Sequence, residues 1–180
     1  MESIDKCKLC GASLNIEGYL NKCTSDQCNA VYWSKKLFSS KKKFFDIIEK
    51  NSEKKKHLNF EFKKLLDDAK ISPFSPNQYY VYQIKLRKSD QNIKLKNTIK
   101  NDPKNLSNLS YQFYVGKTGT HPYERYLKHF IGYQSGIKLV YRYGIALVNY
   151  EGPMKSDEAS KREEELANYL RSQGFTVRQN

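Results

Sequence analysis

Apolar residues in this chain fall into short runs and stripes rather than long blocks. Tyr79 to Leu86, YYVYQIKL, is dense in aromatic and β-branched residues and predicts a strand. YQFYVG, ending at Gly116, predicts a second. Pro122 then opens a helix, at the position where its missing N–H matters least. Arg125 and His129 lie four apart on one face of that helix, and Leu127 and Phe130 on another. Val140 to Tyr150 reads as a strand pair or one bent strand. Ser156 stands where it would cap a last helix, DEASKREEELANYLRSQG, which Gly174 ends. FTVRQN closes the chain as a short strand or tail. The order β-β-α-β-α predicts an α+β unit over residues 78–180, with a small mixed or antiparallel sheet flanked by helices.

The pattern is different upstream. Between Lys35 and Lys70 there are twelve lysines and six acids, a local charge of +6. Phe62, Leu65, Leu66 and Ala69 follow helical spacing, so residues 35–77 read as a basic helical segment. It ends in a proline-bearing linker, SPFSPN. His57, in a lysine run, reads as a surface residue. Arg87 to Ser110 has six basic and two acidic residues and too few apolar positions for core, so it reads as a long excursion from the sheet.

All four cysteines lie near the N-terminus, as Cys7-x2-Cys10, twelve residues, then Cys23-x4-Cys28. Close pairs let two thiolates reach one ion, and a β-hairpin between the pairs can close a tetrahedron. Gly11 supplies a permissive backbone just after the second cysteine. A disulfide framework would call for an oxidising compartment, and MESIDKCKLCG lacks the apolar core of a secretory signal. A redox dithiol would leave one pair idle. Residues 1–34 are therefore expected to be a zinc-ribbon module with structural Zn2+ on Cys7, Cys10, Cys23 and Cys28.

The whole chain of 180 residues has a net charge of +13, from 32 Lys+Arg against 19 Asp+Glu. An excess of that size favours polyanions, nucleic acid above all. No run of 18 apolar residues exists, so no membrane span is expected, and the expected location is cytoplasmic.

Several residues of the second unit together resemble the GIY-YIG nuclease family. Tyr80-Val81-Tyr82 lies in one strand and Tyr114-Val115-Gly116 ends the next. Lys117 follows, Arg125 comes eleven residues after Tyr114, His129 one turn later, and Glu163 sits on the last helix. The match covers about residues 78–180. It departs from the family at Tyr80, which stands where the family has Gly, and at Val115, which replaces Ile. The resemblance implies that Tyr82 is a general base; a nearby cation such as Lys117, or a metal-polarised water, would lower its phenol toward that role. It implies that Tyr114 orients groups at the phosphate and that Arg125 clamps the non-bridging oxygens. His129 would assist proton movement or phosphate contact. Glu163 would hold a catalytic Mg2+ or Mn2+. Glu164 and Glu165 adjoin it, but Leu166 and Ala167 look like the apolar pair that follows the family's metal ligand, which selects Glu163. Asn180 resembles the family's closing Asn. Tyr123, Tyr126 and Tyr133 read as packing or rim residues.

The expected function is thus a metal-dependent endonuclease hydrolysing phosphodiester bonds of double-stranded DNA. The long link between Tyr82 and Tyr114 favours a sequence-selective restriction or defence enzyme within the family. The two basic inserts, with +10 of the +13, would grip phosphates. A structure-specific repair or mobile-element nuclease is one alternative. A zinc-ribbon nucleic-acid-binding protein with an inactive nuclease half is another. The sequence leaves monomer and homodimer open.

Overall fold

The structure is a computed structural model and describes residues 6–17, 20–33, 64, 67, 77–86, 112–131 and 138–179. The chain divides into two units, Met1–Pro73 and Phe74–Asn180. The basic segment of residues 35–76 (save Lys64 and Asp67), the excursion of residues 87–110 and Asn180 lie outside the described residues, and so do the expectations attached to them.

In the first unit, strands β1 (Leu14–Glu17), β2 (Leu20–Cys23) and β3 (Val31–Trp33) form an antiparallel meander. Leu14 pairs with Cys23 and Glu17 with Leu20, and Leu20 pairs in turn with Trp33. The hairpin predicted between the cysteine pairs is therefore present. Its described buried apolar residues are Cys7, Leu20, Ala30, Val31, Tyr32 and Trp33. A three-stranded meander of this size usually depends on a cross-link or a metal.

The second unit is built on strands β4 (Tyr79–Leu86), β5 (Phe113–Thr118), β6 (Gly144–Met154) and β7 (Val177–Gln179). β4 is central, antiparallel to both β5 and β6, and β7 adds in parallel to β5. The sheet is thus mixed. Alternation sorts its side chains into two faces. Val81, Phe113, Val115 and Val177 share one face and pack with Ala159, Leu166, Ala167 and Leu170. Those last four come from helix α3 (Ser156–Ser172). Each fully buried aliphatic side chain of such a layer contributes about 1.5–3 kcal/mol. Tyr82, Ile84 and Tyr114 point to the opposite face, toward helices α1 (Pro122–Ile131) and α2 (Lys138–Tyr143). Tyr126 of α1 is buried there and its hydroxyl donates to the Ile145 carbonyl at 3.0 Å, a packing role.

Two sequence expectations need correction. Val140 to Tyr143 is the end of helix α2, not strand. Leu139 and Val140 are buried, and KLVYRY has apolar residues at helical as well as strand spacing. The switch to β6 falls at Gly144, where a Cβ would lie 2.5 Å from the Val140 carbonyl oxygen, so only glycine fits against the preceding turn. Ser156, in turn, does not cap α3. The N-cap is Lys155, in extended conformation, with no side-chain cap bond. The Ser156 side chain instead faces Lys117, whose Nζ lies 3.5 Å from its Oγ. Asp157 and Glu158 in the first turn suit the positive end of the helix dipole. The other end is as expected. Gly174 has φ +83°, its N–H donates to Arg171 O, and Phe175 N–H donates to Leu170 O, the double bond pattern of a glycine-ended helix.

Candidate functional site

The four cysteine sulfurs converge at one end of the β1–β3 meander. All four ligand atoms lie within 4.8 Å of one another. Cys7 Sγ is 3.5 Å from Cys28 Sγ, and Cys10 Sγ is 3.5 Å from Cys23 Sγ. A disulfide needs about 2.05 Å, and all four cysteines are free. Thiolates around a tetrahedral zinc at about 2.3 Å stand about 3.8 Å apart, within the observed range. Two matching turns make this possible. Leu9 N–H donates to Cys7 Sγ and Ser25 N–H to Cys23 Sγ, each at 3.4 Å. The residue after each second cysteine has positive φ: Gly11 at +78° and Asn29 at +48°. Gly11 was legible in the sequence; Asn29, the non-glycine type most tolerant of that region, was its unnoticed counterpart.

The electrostatics fit a cation. Burial pushes the Cys7 thiol up, but hydrogen bonds from Tyr32 and from the Leu9 and Cys10 backbone outweigh it and bring it down to about 6. Burial and the neighbouring sulfurs push Cys28 up to about 12. The Cys7 thiolate thus opposes ionisation of Cys28, and a positive ion would relieve that opposition. The cluster could hold a metal such as zinc.

The second constellation lies on the α1 face of the β4–β5 sheet. Tyr82 on β4 is directly opposite Gly116 on β5. Tyr114 is two residues before Gly116 and shares its face. A Cβ on Gly116 would lie 2.7 Å from the Tyr114 hydroxyl and 2.8 Å from the Tyr82 hydroxyl. Glycine thus lets two phenols meet over bare backbone. His129 of α1 closes over them, with ring centroids 5.9 Å from Tyr82 and 5.5 Å from Tyr114. His129 Nε2 and the Tyr82 hydroxyl are 2.7 Å apart. Tyr82, Tyr114 and His129 are all fully buried.

Burial pushes the Tyr82 phenol up; the Arg125 charge and hydrogen bonds from Tyr114 and Arg125 partly offset this, and Glu163 adds to the rise. Burial likewise raises Tyr114, with Tyr82 and Glu163 raising it further and Arg125 lowering it. His129 is driven down to about 3, by burial first and the Arg125 cation second. Neutral His129 therefore faces protonated Tyr82 across this hydrogen bond. The cation that lowers the Tyr82 phenol is Arg125 rather than Lys117, and burial outweighs it.

Arg125 and Glu163 thus act electrostatically on both phenols. Glu163 is 7% exposed and, among the described residues, is the one buried acid, whereas Glu164 and Glu165 are exposed. The helical period explains the choice: Ala159, Glu163, Leu166, Ala167 and Leu170 form the buried stripe of α3. Glu165 instead bonds Arg162, which clasps Glu151 of β6 through two bonds of 2.6 and 2.9 Å.

Lys117 does not join the group. It belongs to β5, which runs past Gly116, and alternation sends it to the α3 face. There its Nζ donates to Ser160 Oγ at 2.7 Å and lies over the Tyr79 ring. A single buried carboxylate is a donor set that suits a hard, mostly hydrated divalent cation better than a transition metal.

Comparison with family models, with curated proteins and with solved structures finds no match to this chain.

Proposed function

We propose that the second unit is a GIY-YIG-type, metal-dependent endonuclease acting on double-stranded DNA, sequence-selectively, in restriction or defence. The observation that carries this reading is the 2.7 Å bond between buried Tyr82 and neutral His129, within the electrostatic reach of Arg125 and Glu163. A hydrogen-bonded phenol and imidazole within electrostatic reach of one cation and one carboxylate supply what phosphodiester hydrolysis needs: a proton path, charge neutralisation and a hold for an ion.

A phenol whose proton is hard to remove is a weak base alone. Tyr82 can accept a proton from an attacking water as its own passes to His129 Nε2, so that no tyrosinate persists in the buried site. Arrival of a phosphodiester favours this transfer, because a nearby negative charge favours the imidazolium. Arg125, with its fixed fork of donors, neutralises the non-bridging oxygens. Tyr114, packed against Tyr82, fixes the orientation of that phenol. Glu163 would hold Mg2+ or Mn2+, which when bound supplies further neutralisation at the phosphate. The net charge of +13 supports a polyanionic substrate. We further propose that the four cysteines bind structural Zn2+.

The test is to incubate the full chain with plasmid and phage DNA and Mg2+, and to map the ends. Discrete ends at recurring sequences support the reading; intact DNA across divalent ions contradicts it. Cutting only at branched junctions would select a structure-specific nuclease instead.

A further inference from the structure

A second group of rings lies beside the Tyr82 site. Tyr80 is two residues before Tyr82 on β4 and shares its face, and Tyr150 on β6 is the direct cross-strand partner of Tyr82. His121 and Tyr123, at the start of α1, complete the group. Ring centroids are 5.9 Å apart for Tyr80–His121, 4.8 Å for His121–Tyr123, 5.8 Å for His121–Tyr150 and 5.7 Å for Tyr123–Tyr150. Tyr80 and Tyr150 are 6.4 Å apart. None of these contacts is a parallel stack. Unlike Tyr82 and Tyr114, none of the four is buried, and Tyr150 is 39% exposed.

Two of the rings, those of His121 and Tyr80, are held by backbone. His121 Nδ1 accepts the Tyr123 N–H at 3.2 Å, and the His121 carbonyl accepts the Arg125 N–H at 3.0 Å. Gly152, at φ +122°, lies so close that a Cβ there would be 2.9 Å from Tyr80 Cδ1 and 2.7 Å from Tyr79 O. Partly open aromatic rings fixed in this way lose little freedom when a flat ligand meets them.

We infer that Tyr80, His121, Tyr123 and Tyr150 form a seat for one unstacked nucleobase of the strand whose phosphate meets Tyr82. Every base presents a π-face to such rings, whatever its sequence. Aromatic groups of this kind also take quaternary ammonium ions, but a chain of charge +13 disfavours a cation and draws a polyanion. Tyr80 and Tyr82 are roughly 7 Å apart along the strand, about one nucleotide of extended backbone. The seat therefore receives a neighbour of the cleaved nucleotide, and duplex DNA unstacks there before it is cut. The position beside a scissile phosphate rests on the nuclease reading; the affinity for a base does not.

The test is fluorescence anisotropy of the full-length protein with a short oligothymidylate and with an abasic strand of the same length and charge, in one buffer. The thymine strand should bind about 5- to 150-fold more tightly than the abasic strand, the range given by stacking one base. Tyr150→Ala and Tyr123→Ala should each remove most of that difference and leave the abasic strand unaffected. Tyr150→Phe should keep it. Equal binding of both strands by the parent protein, or an unchanged ratio in both alanine variants, would overturn the inference. Preference for a trimethyl-lysine peptide over thymine would overturn it too. Base-dependent binding without cleavage in Mg2+ would remove the nuclease reading and leave the seat. Cleavage with no base preference would do the reverse.

Discussion

Gly116 sets the geometry of the Tyr82 site, because any side chain there collides with two hydroxyls at 2.7 and 2.8 Å. Gly116→Ala should lower stability by about 1–3 kcal/mol, the usual cost of overpacking, seen as a drop in Tm. It should also reduce cleavage by far more than that fraction of unfolded protein explains, since the phenols must part. His129 gives a pH signature. Its folded value near 3 lies below the ordinary 6.5, so the unfolded chain takes up a proton that the folded chain refuses. The stability it contributes is fully present above about pH 6.5 and is lost as pH falls toward about 3. Denaturant unfolding of wild type and His129→Asn should therefore show a steeper loss in the wild type between about pH 6.5 and about pH 5, above the main carboxylate range. Parallel curves would contradict the buried neutral imidazole.

At the scale of elements, the β1–β3 meander is a small module, so its integrity should follow the zinc proposed for it. We expect one zinc per chain by elemental analysis. Strong chelation should broaden the NMR resonances of residues 6–33, and Cys10→Ser should do the same without chelator. Intact, dispersed resonances after chelation would contradict the zinc reading. The elements also show what was legible beforehand. Strand β4, strand β5 and the start of α1 announced themselves through aromatic density and Pro122. Glu163 was singled out by the resemblance, through Leu166 and Ala167, and its burial accords with the helical period of that stripe. Helix α2 was not legible, because six residues give too short a pattern to separate period 3.6 from period 2. Lys117 was misplaced for a related reason: Thr118 and Gly119 look like turn, yet the β5 ladder continues to Thr118 paired with Tyr80. The place of β7 beside β5, in parallel, depends on pairing partners far apart in sequence, which no local pattern records.

For the molecule as a whole, the charge of +13 and the Tyr82 site are separate properties, and they should separate on mutation. On the proposed reading, charge would carry DNA binding with a strong salt dependence, whereas Glu163 is one buried group on α3. The central claim is that the buried phenol–imidazole pair and Glu163 form a phosphodiester-cleaving site. The direct measurement is the Mg2+-dependent nicking or linearisation of supercoiled plasmid by wild type and Glu163→Ala, with DNA affinity measured on the same preparations. The account predicts a loss of cleavage of at least about 100-fold, the scale of removing one strong electrostatic stabiliser, with affinity changed by no more than about threefold, under 1 kcal/mol. Cleavage by Glu163→Ala at the wild-type rate would contradict it.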